Sequence, residues 1–202
     1  MVFCKTYPAP PFCEKEILRY AGASSPDEET LALVRGCVAE VRELIKYRVC
    51  YRELAVNVDG DICDFGSFSV SSRDLAKNLS GCEKAVVFAA TVGIELDRII
   101  ARYSRLSPAK ALIFQAIGAE RCEALCNMFC KEFEEERNIA AKPRFSPGYG
   151  DLALETQKDI FALLDCERKI GLTLTDSLLM SPTKSVTAFM GLCDNKTDRG
   201  GI

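Results

Sequence analysis

The chain has 202 residues, the size of one ordinary domain, and its 48% hydrophobic content with 8 Pro and 13 Gly excludes collagen-like, low-complexity and disordered classes. Its 26 basic and 29 acidic side chains leave a formal charge of -3, so no global field draws it onto a phosphate backbone or an anionic leaflet; neither nucleic acid nor a membrane is an expected partner. It has 0 histidines, which removes the usual general base, a common metal ligand and every Ser-His or Cys-His couple.

The start, MVFCKTYPAPP, has no long apolar core behind a basic segment, so neither a signal nor a transit peptide is expected. No apolar run approaches the ~18 residues of a membrane-spanning helix. A soluble cytoplasmic protein is the expectation. Cysteine occurs 11 times, an odd number, and never as C-x-x-C, so no cysteine-built metal site is expected. Reduced cysteines serving as small core hydrophobes is the simplest reading and fits a reducing cytosol. Cys122, Cys126 and Cys130 stand in one row of a helix, which leaves thiol redox chemistry as an alternative.

Glu14 to Tyr20 reads as a short helix stopped at Gly22. Ser25-Pro26-Asp27 then starts a longer one, with acids in its first turn and an apolar stripe at Leu31, Val34, Val38, Val41 and Ile45. From Val49 to Phe65 the pattern changes to β-rich runs around an Asp59-Gly60 hairpin signal. Ser71 to Asp74 opens a short helix that Gly81 closes, and KAVVFAATVG, from Lys84 to Gly93, reads as a buried strand leading into the helix IELDRIIARYSRL. The longest periodic segment runs from a Ser107 cap before Pro108 to about Arg137, striped by Phe114, Cys122, Leu125, Phe129 and Phe133. Glu132, Glu134, Glu135 and Glu136 at its distal end read as a solvated face.

Asn138 to Asp151 breaks all periodicity, and LETQKDIFALLD is a further helix. Two strand-like runs, LTLTDSLLM and SVTAFMGL, flank a Ser181-Pro182-Thr183-Lys184 turn. Helices and strands without a βαβ rhythm predict an α+β fold in one domain over 1–202, with an N-terminal segment 1–24 and a flexible tail 192–202.

The loop before that last helix concentrates chemistry: Arg144, Tyr149 and Asp151, stiffened by Pro143 and Pro147 and given backbone freedom by Gly148 and Gly150. Arg144 suits a carboxylate or phosphate, because its planar fork donates two parallel hydrogen bonds. The structural alternative makes Asp151 the N-cap of the following helix and pairs Arg144 with the acidic cluster of the preceding one. Gly148-Tyr149-Gly150 is no dinucleotide fingerprint, since the third glycine is missing. A second candidate is Ser181 to Thr187, hydroxyl-rich around Lys184, which reads otherwise as a hairpin. A third is the pair Glu120 and Glu123, beside Arg121, which suits a ligand ammonium group or a solvated helix edge.

These residues carry a resemblance. Arg144-Phe-Ser-Pro-Gly-Tyr149, the helix Leu154 to Asp165, IGLTLTDSLLMSP and Lys184-Ser185-Val186-Thr187 follow each other as do motifs of the activation domain of cobalamin-dependent methionine synthase. In that family an R-P-x-x-G-Y loop leads to a T-E-K helix, an I-G-M-x-L-T-E-S stretch and a P-x-x-S-V-S segment. Upstream, SSRDLAKNLSGCEKAVVFAATVGIELDR is similar to small stand-alone proteins of this group.

The resemblance implies an α+β fold whose curved antiparallel sheet is flanked by helices. It further implies a shallow groove that binds S-adenosylmethionine and presents its methyl group to cob(II)alamin on a partner, with one electron from a flavodoxin- or ferredoxin-type donor. Carried over by position, Arg144 holds the methionyl carboxylate, Ser146 offers backbone contacts, Gly148 lets the main chain approach, and Tyr149 lines the adenosyl side. The family's ammonium-binding glutamate falls on Glu123, preferred, or Glu120. No catalytic acid, base or metal ligand is implied, because cobalt supplies the nucleophile and the sulfonium the leaving group. The length leaves no room for cobalamin, homocysteine or folate modules, so the expected role is reactivation in trans of a methionine synthase lacking its own activation domain. Alternatives are service to another corrinoid methyltransferase, or a non-catalytic ligand-binding or scaffold protein. Two positions depart from the family: Glu155 stands where a histidine is frequent, and the tyrosine beyond S-V-S has no counterpart after Phe189.

Overall fold

The computed structural model describes residues 1–193. Strand β1 (Phe3–Tyr7) leads into α1 (Glu14–Tyr20) and α2 (Glu28–Val41). Past α1 the chain turns at Gly22, whose φ of 75° lies in the left-handed region that glycine enters without steric penalty. α2 begins where the Asp27 carboxylate accepts the Thr30 amide at 2.8 Å, satisfying a donor that has no partner inside the helix. Then come β2 (Tyr47–Ala55), β3 (Asn57–Asp59), β4 (Ile62–Asp64) and β5 (Ser69–Ser71), the turn between β3 and β4 falling on Gly60 and Asp61. α3 (Arg73–Asn78), β6 (Lys84–Thr91), α4 (Glu95–Leu106) and α5 (Pro108–Arg137) follow. Ser72 and Ser107 cap α3 and α5 by accepting the Leu75 and Lys110 amides. The remaining elements are β7 (Ala140–Ala141), α6 (Thr156–Leu164), α7 (Cys166–Ile170), β8 (Thr173–Leu174), β9 (Met180–Ser181) and β10 (Ser185–Cys193).

The fold is α+β. A curved antiparallel sheet orders its strands β1-β2-β6-β10-β7, and β6 at its centre pairs Ala89 with Cys50 of β2 on one side and Thr187 of β10 on the other. Val86, Phe88 and Ala90 face a core shared with α1, α2, α4 and α5, while Ala85, Val87 and Ala89 face a second core shared with α3, α6, α7 and the small β3-β4-β5 sheet. Burial on both faces is why KAVVFAAT reads as a continuous apolar run instead of an alternating one. β7 covers only Leu192 and Cys193 of β10, and among the described residues no strand covers the outer edge of β10 from Ser185 to Thr187. No helix among the described residues is long and apolar enough to cross a membrane.

Several expectations need correction. LTLTDSLLM is not one strand: β8 and β9 pair with each other, because the Thr175 hydroxyl accepts the Leu179 amide at 3.0 Å and closes a turn. Ser181 to Thr187 is not a hairpin either, since β9 pairs with β8 and β10 with β6. Its turn is held by Asp97 of α4, which accepts the Thr183 amide at 2.7 Å and hydroxyl at 2.6 Å. Ile45 is buried beyond the end of α2 at Val41. The distal acids of α5 are not merely solvated. Glu132 accepts the Tyr7 hydroxyl and Lys5 ammonium, and Glu134 accepts the Ala141 amide at 2.9 Å. Leu192 and Cys193, within the expected tail, end β10; the rest of that tail lies outside the described residues.

Candidate functional site: a groove at the open edge of β10

The loop from Arg144 to Asp151 is anchored at both ends. Phe145 and Phe189 exchange backbone hydrogen bonds of 2.9 and 2.8 Å, which joins the loop to β10 and sets Arg144 beside the open edge. At the far end Asp151 caps α3, not α6. Its carboxylate accepts the Ser72 hydroxyl at 2.5 Å and the Arg73 and Asp74 amides at 3.0 and 3.1 Å. These contacts, led by Ser72, hold its carboxyl below the ordinary carboxylate range. Between the anchors the Gly148 amide donates to Leu152 O at 2.9 Å and the Tyr149 amide to Ser146 O at 3.1 Å. Gly150 has a φ of 53°, and a Cβ there would stand 2.3 Å from Asp74 Oδ2, so any side chain would have to displace that carboxylate.

The loop, α5, α6 and β10 enclose an open groove of about 360 Å³. Arg144 and Glu123 stand together on its wall, Nη2 to Oε2 at 2.8 Å, and Arg144 Nη1 also donates to Asn127 Oδ1 at 2.7 Å. Of the two side chains, Arg144 is 23% exposed and Glu123 49%, so the cation is the more enclosed partner. Ser146 and Tyr149 line the groove from the loop, and Tyr149 is 69% exposed at its mouth. Gln157 lines it from α6 and Thr187 from β10; both are buried. The arrangement offers one cation, one anion, an exposed aromatic ring and the buried polar side chains of Gln157, Ser185 and Thr187, a set suited to a zwitterionic ligand that carries a further polar body.

The structure sorts the sequence candidates. Arg144, Ser146, Tyr149 and Glu123 meet at the groove, and Gly148 shapes the turn between them. Arg144 does not pair with the distal acids of α5; its acidic partner is Glu123. Glu120 is not among the groove-lining residues. It is buried against Arg121 and accepts the Cys13 amide at 3.2 Å, while Arg121 donates to the carbonyls of Pro10 and Pro11. Ser185 to Thr187 of the second candidate join the groove wall, whereas Lys184 lies with its stem over Gly118 of α5. Glu155 occupies the N-cap position of α6, without a capping hydrogen bond from its side chain.

In the thiol row Cys122 and Cys126 are buried, and burial pushes Cys122 up to about 12 and Cys126 well above its ordinary value. Cys130 is half-buried, with its sulfur 4.0 Å from Arg144 Nη1; burial raises its pKa and the guanidinium opposes the rise. Among the described residues no group of His, Cys, Asp or Glu is placed to hold a metal ion. Sequence reasoning missed Gln157. The signal was present: it shares a helical stripe with Ile160 and Leu164, both fully buried, so a polar side chain falls where packing calls for an apolar one.

No curated protein matches the chain. Among solved structures the chain is similar to the MetH reactivation domain bound to AdoHcy, with a TM-score of 0.70 at 13% identity, over 96% of this chain and 79% of that one. At that identity the likeness is one of fold. The model of the family described as "Vitamin B12 dependent methionine synthase, activation domain" matches residues 68–197. That stretch is more than half of the chain and contains all the groove residues named above, and the chain belongs to the vitamin B12-dependent methionine synthase activation-domain family.

Proposed function

We propose that the chain binds S-adenosylmethionine in this groove and presents its methyl group to cob(II)alamin on a separate protein, a methionine synthase lacking its own activation domain. The observation that carries the reading is the Arg144–Glu123 pair, a cation and an anion 2.8 Å apart on a groove wall, which matches the carboxylate and ammonium of an α-amino acid. On binding, the two side chains exchange each other for the ligand. Arg144 donates two parallel hydrogen bonds to the carboxylate, and Glu123 accepts from the ammonium group. Tyr149 covers the nucleoside with its exposed ring. AdoHcy in the related fold is consistent with this ligand class.

The partner's corrinoid, reduced by one electron from a flavodoxin- or ferredoxin-type donor, supplies the nucleophile. The sulfur–methyl bond breaks, the methyl group passes to cobalt, and S-adenosylhomocysteine leaves. The chain itself holds the sulfonium in one orientation at a groove open to a docking partner, a contribution of positioning rather than proton transfer. The setting is the reducing cytoplasm, in keeping with the unpaired state of the 11 cysteines.

Calorimetric titration of the reduced protein with S-adenosylmethionine tests the reading. Saturable binding, weakened about 10- to 100-fold in Arg144→Ala and kept in Lys184→Ala, is expected. Absence of binding to the wild type at millimolar ligand overturns it.

A further inference from the structure

Two buried polar atoms on groove-lining residues have no hydrogen-bond partner: the Gln157 side-chain carbonyl, on a residue 5% exposed, and the Thr187 hydroxyl, on a residue 2% exposed. Buried polar atoms are almost always paired, because stripping one of water without a replacement is destabilising. Both sit where an apolar residue would serve packing better. Gln157 follows the stripe of Ile160 and Leu164, and Thr187 lies opposite Ala89 in the register of β10 and β6. Keeping polarity at such positions makes sense when a ligand completes the hydrogen bonds.

The chemistry of the missing partner is constrained. The Gln157 carbonyl needs a donor, whereas the Thr187 hydroxyl both donates and accepts. An ammonium group only donates, a carboxylate only accepts, and those two ends already have Glu123 and Arg144. A hydroxyl can give a hydrogen to Gln157 and take one from Thr187, and in a nucleoside the sugar supplies the hydroxyls. Resting on the nucleoside-binding reading above, we propose that Gln157 and Thr187 are specificity-determining contacts that together receive a sugar hydroxyl of the ligand.

The test is calorimetric binding of S-adenosylhomocysteine and of its 2′-deoxy and 3′-deoxy forms to the wild type, Gln157→Met and Thr187→Val. One deoxy form is expected to bind the wild type about 10- to 100-fold more weakly than the parent, and in the variants that difference collapses to less than about 3-fold. The ligand-free Thr187→Val protein melts no lower than the wild type, since a hydroxyl without a partner is removed. If the wild type binds the parent and both deoxy forms alike, or Thr187→Val melts clearly lower, the sugar contact is overturned and the nucleoside reading survives. If the parent fails to bind at all, both fall.

Discussion

Arg144 and Glu123 neutralise each other across the groove wall at 2.8 Å, and they are the same two side chains proposed to take the two charged ends of the ligand. The pairing keeps Arg144, with its side chain 23% exposed, from standing as an uncompensated charge while the groove awaits ligand. Ligand affinity from these groups is therefore the difference between two sets of ion pairs. Replacing Arg144 with Ala should weaken S-adenosylmethionine about 10- to 100-fold, and Glu123→Gln about 10-fold, as expected for charge-assisted hydrogen bonds. Neither change should affect 5′-methylthioadenosine, which lacks the amino-acid end. Calorimetry with both ligands checks this, and equal losses for the two would move the charged pair away from the amino-acid end.

Glu120, one helical turn before Glu123, should behave in the opposite way. It is buried beside the fully buried Arg121, whose guanidinium also holds the Pro10 and Pro11 carbonyls and lies 3.9 Å from the centre of the Phe12 ring. Glu120→Gln leaves that guanidinium without its counter-charge, a loss of about 3–5 kcal/mol by analogy with other broken buried pairs. Urea denaturation measures the loss. The folded fraction should keep wild-type affinity for the ligand, and reduced affinity at unchanged stability would return Glu120 to the list of ligand contacts.

These two glutamates also mark where the sequence stops being legible. Both stand on one helix three positions apart, and nothing local says which faces inward. The decision comes from the segment of Pro10 to Cys13, more than a hundred positions earlier, whose amide and carbonyls bury Glu120 and Arg121. Features with local signals were readable: the Ser107 cap with Pro108, the stripe of α5, the apolar run of β6, the Gly60 turn. The alternative that makes Asp151 a cap of the next helix rests on caps usually lying near in sequence; its target, α3, lies 77 to 79 positions back. Short pieces stabilised by their neighbours, β1, β5, β7 and α7, gave too few residues for a periodicity.

Gly118 tests how closely α5 meets the turn before β10. A Cβ there would stand 2.7 Å from Lys184 Cγ and 2.8 Å from Leu96 Cδ2. Lys184 is flexible, but Leu96 is buried and must shift, so Gly118→Ala should destabilise the fold by about 1–3 kcal/mol. In a Lys184→Ala background one of the two clashes is gone, and the loss should shrink without vanishing. A double-mutant cycle from denaturation curves reads the coupling, and strict additivity would show that Lys184 is not the obstructing neighbour.

Asp151 makes the loop's anchor dependent on pH. The Ser72 hydroxyl, then the Asp74 and Arg73 amides, bind the ionised carboxylate and hold its pKa below the ordinary 3.8. With the folded pKa lowered, the native state binds fewer protons than the unfolded chain. The stabilisation is fully present above the ordinary carboxylate range and is lost as pH falls through the folded value. Asp151→Asn removes the charge and replaces one of the two accepting oxygens with a donor NH2, and it should melt below the wild type at neutral pH. The gap between the two melting temperatures should then close as the pH is taken below 3.8. Because the same loop places Arg144, the variant should also bind S-adenosylmethionine more weakly at neutral pH, although residue 151 is not a groove-lining position. Thermal melts across a pH series, with titrations at neutral pH, measure both effects. A gap that stays constant down to pH 3 would show that the carboxylate's ionisation does not hold the loop on α3.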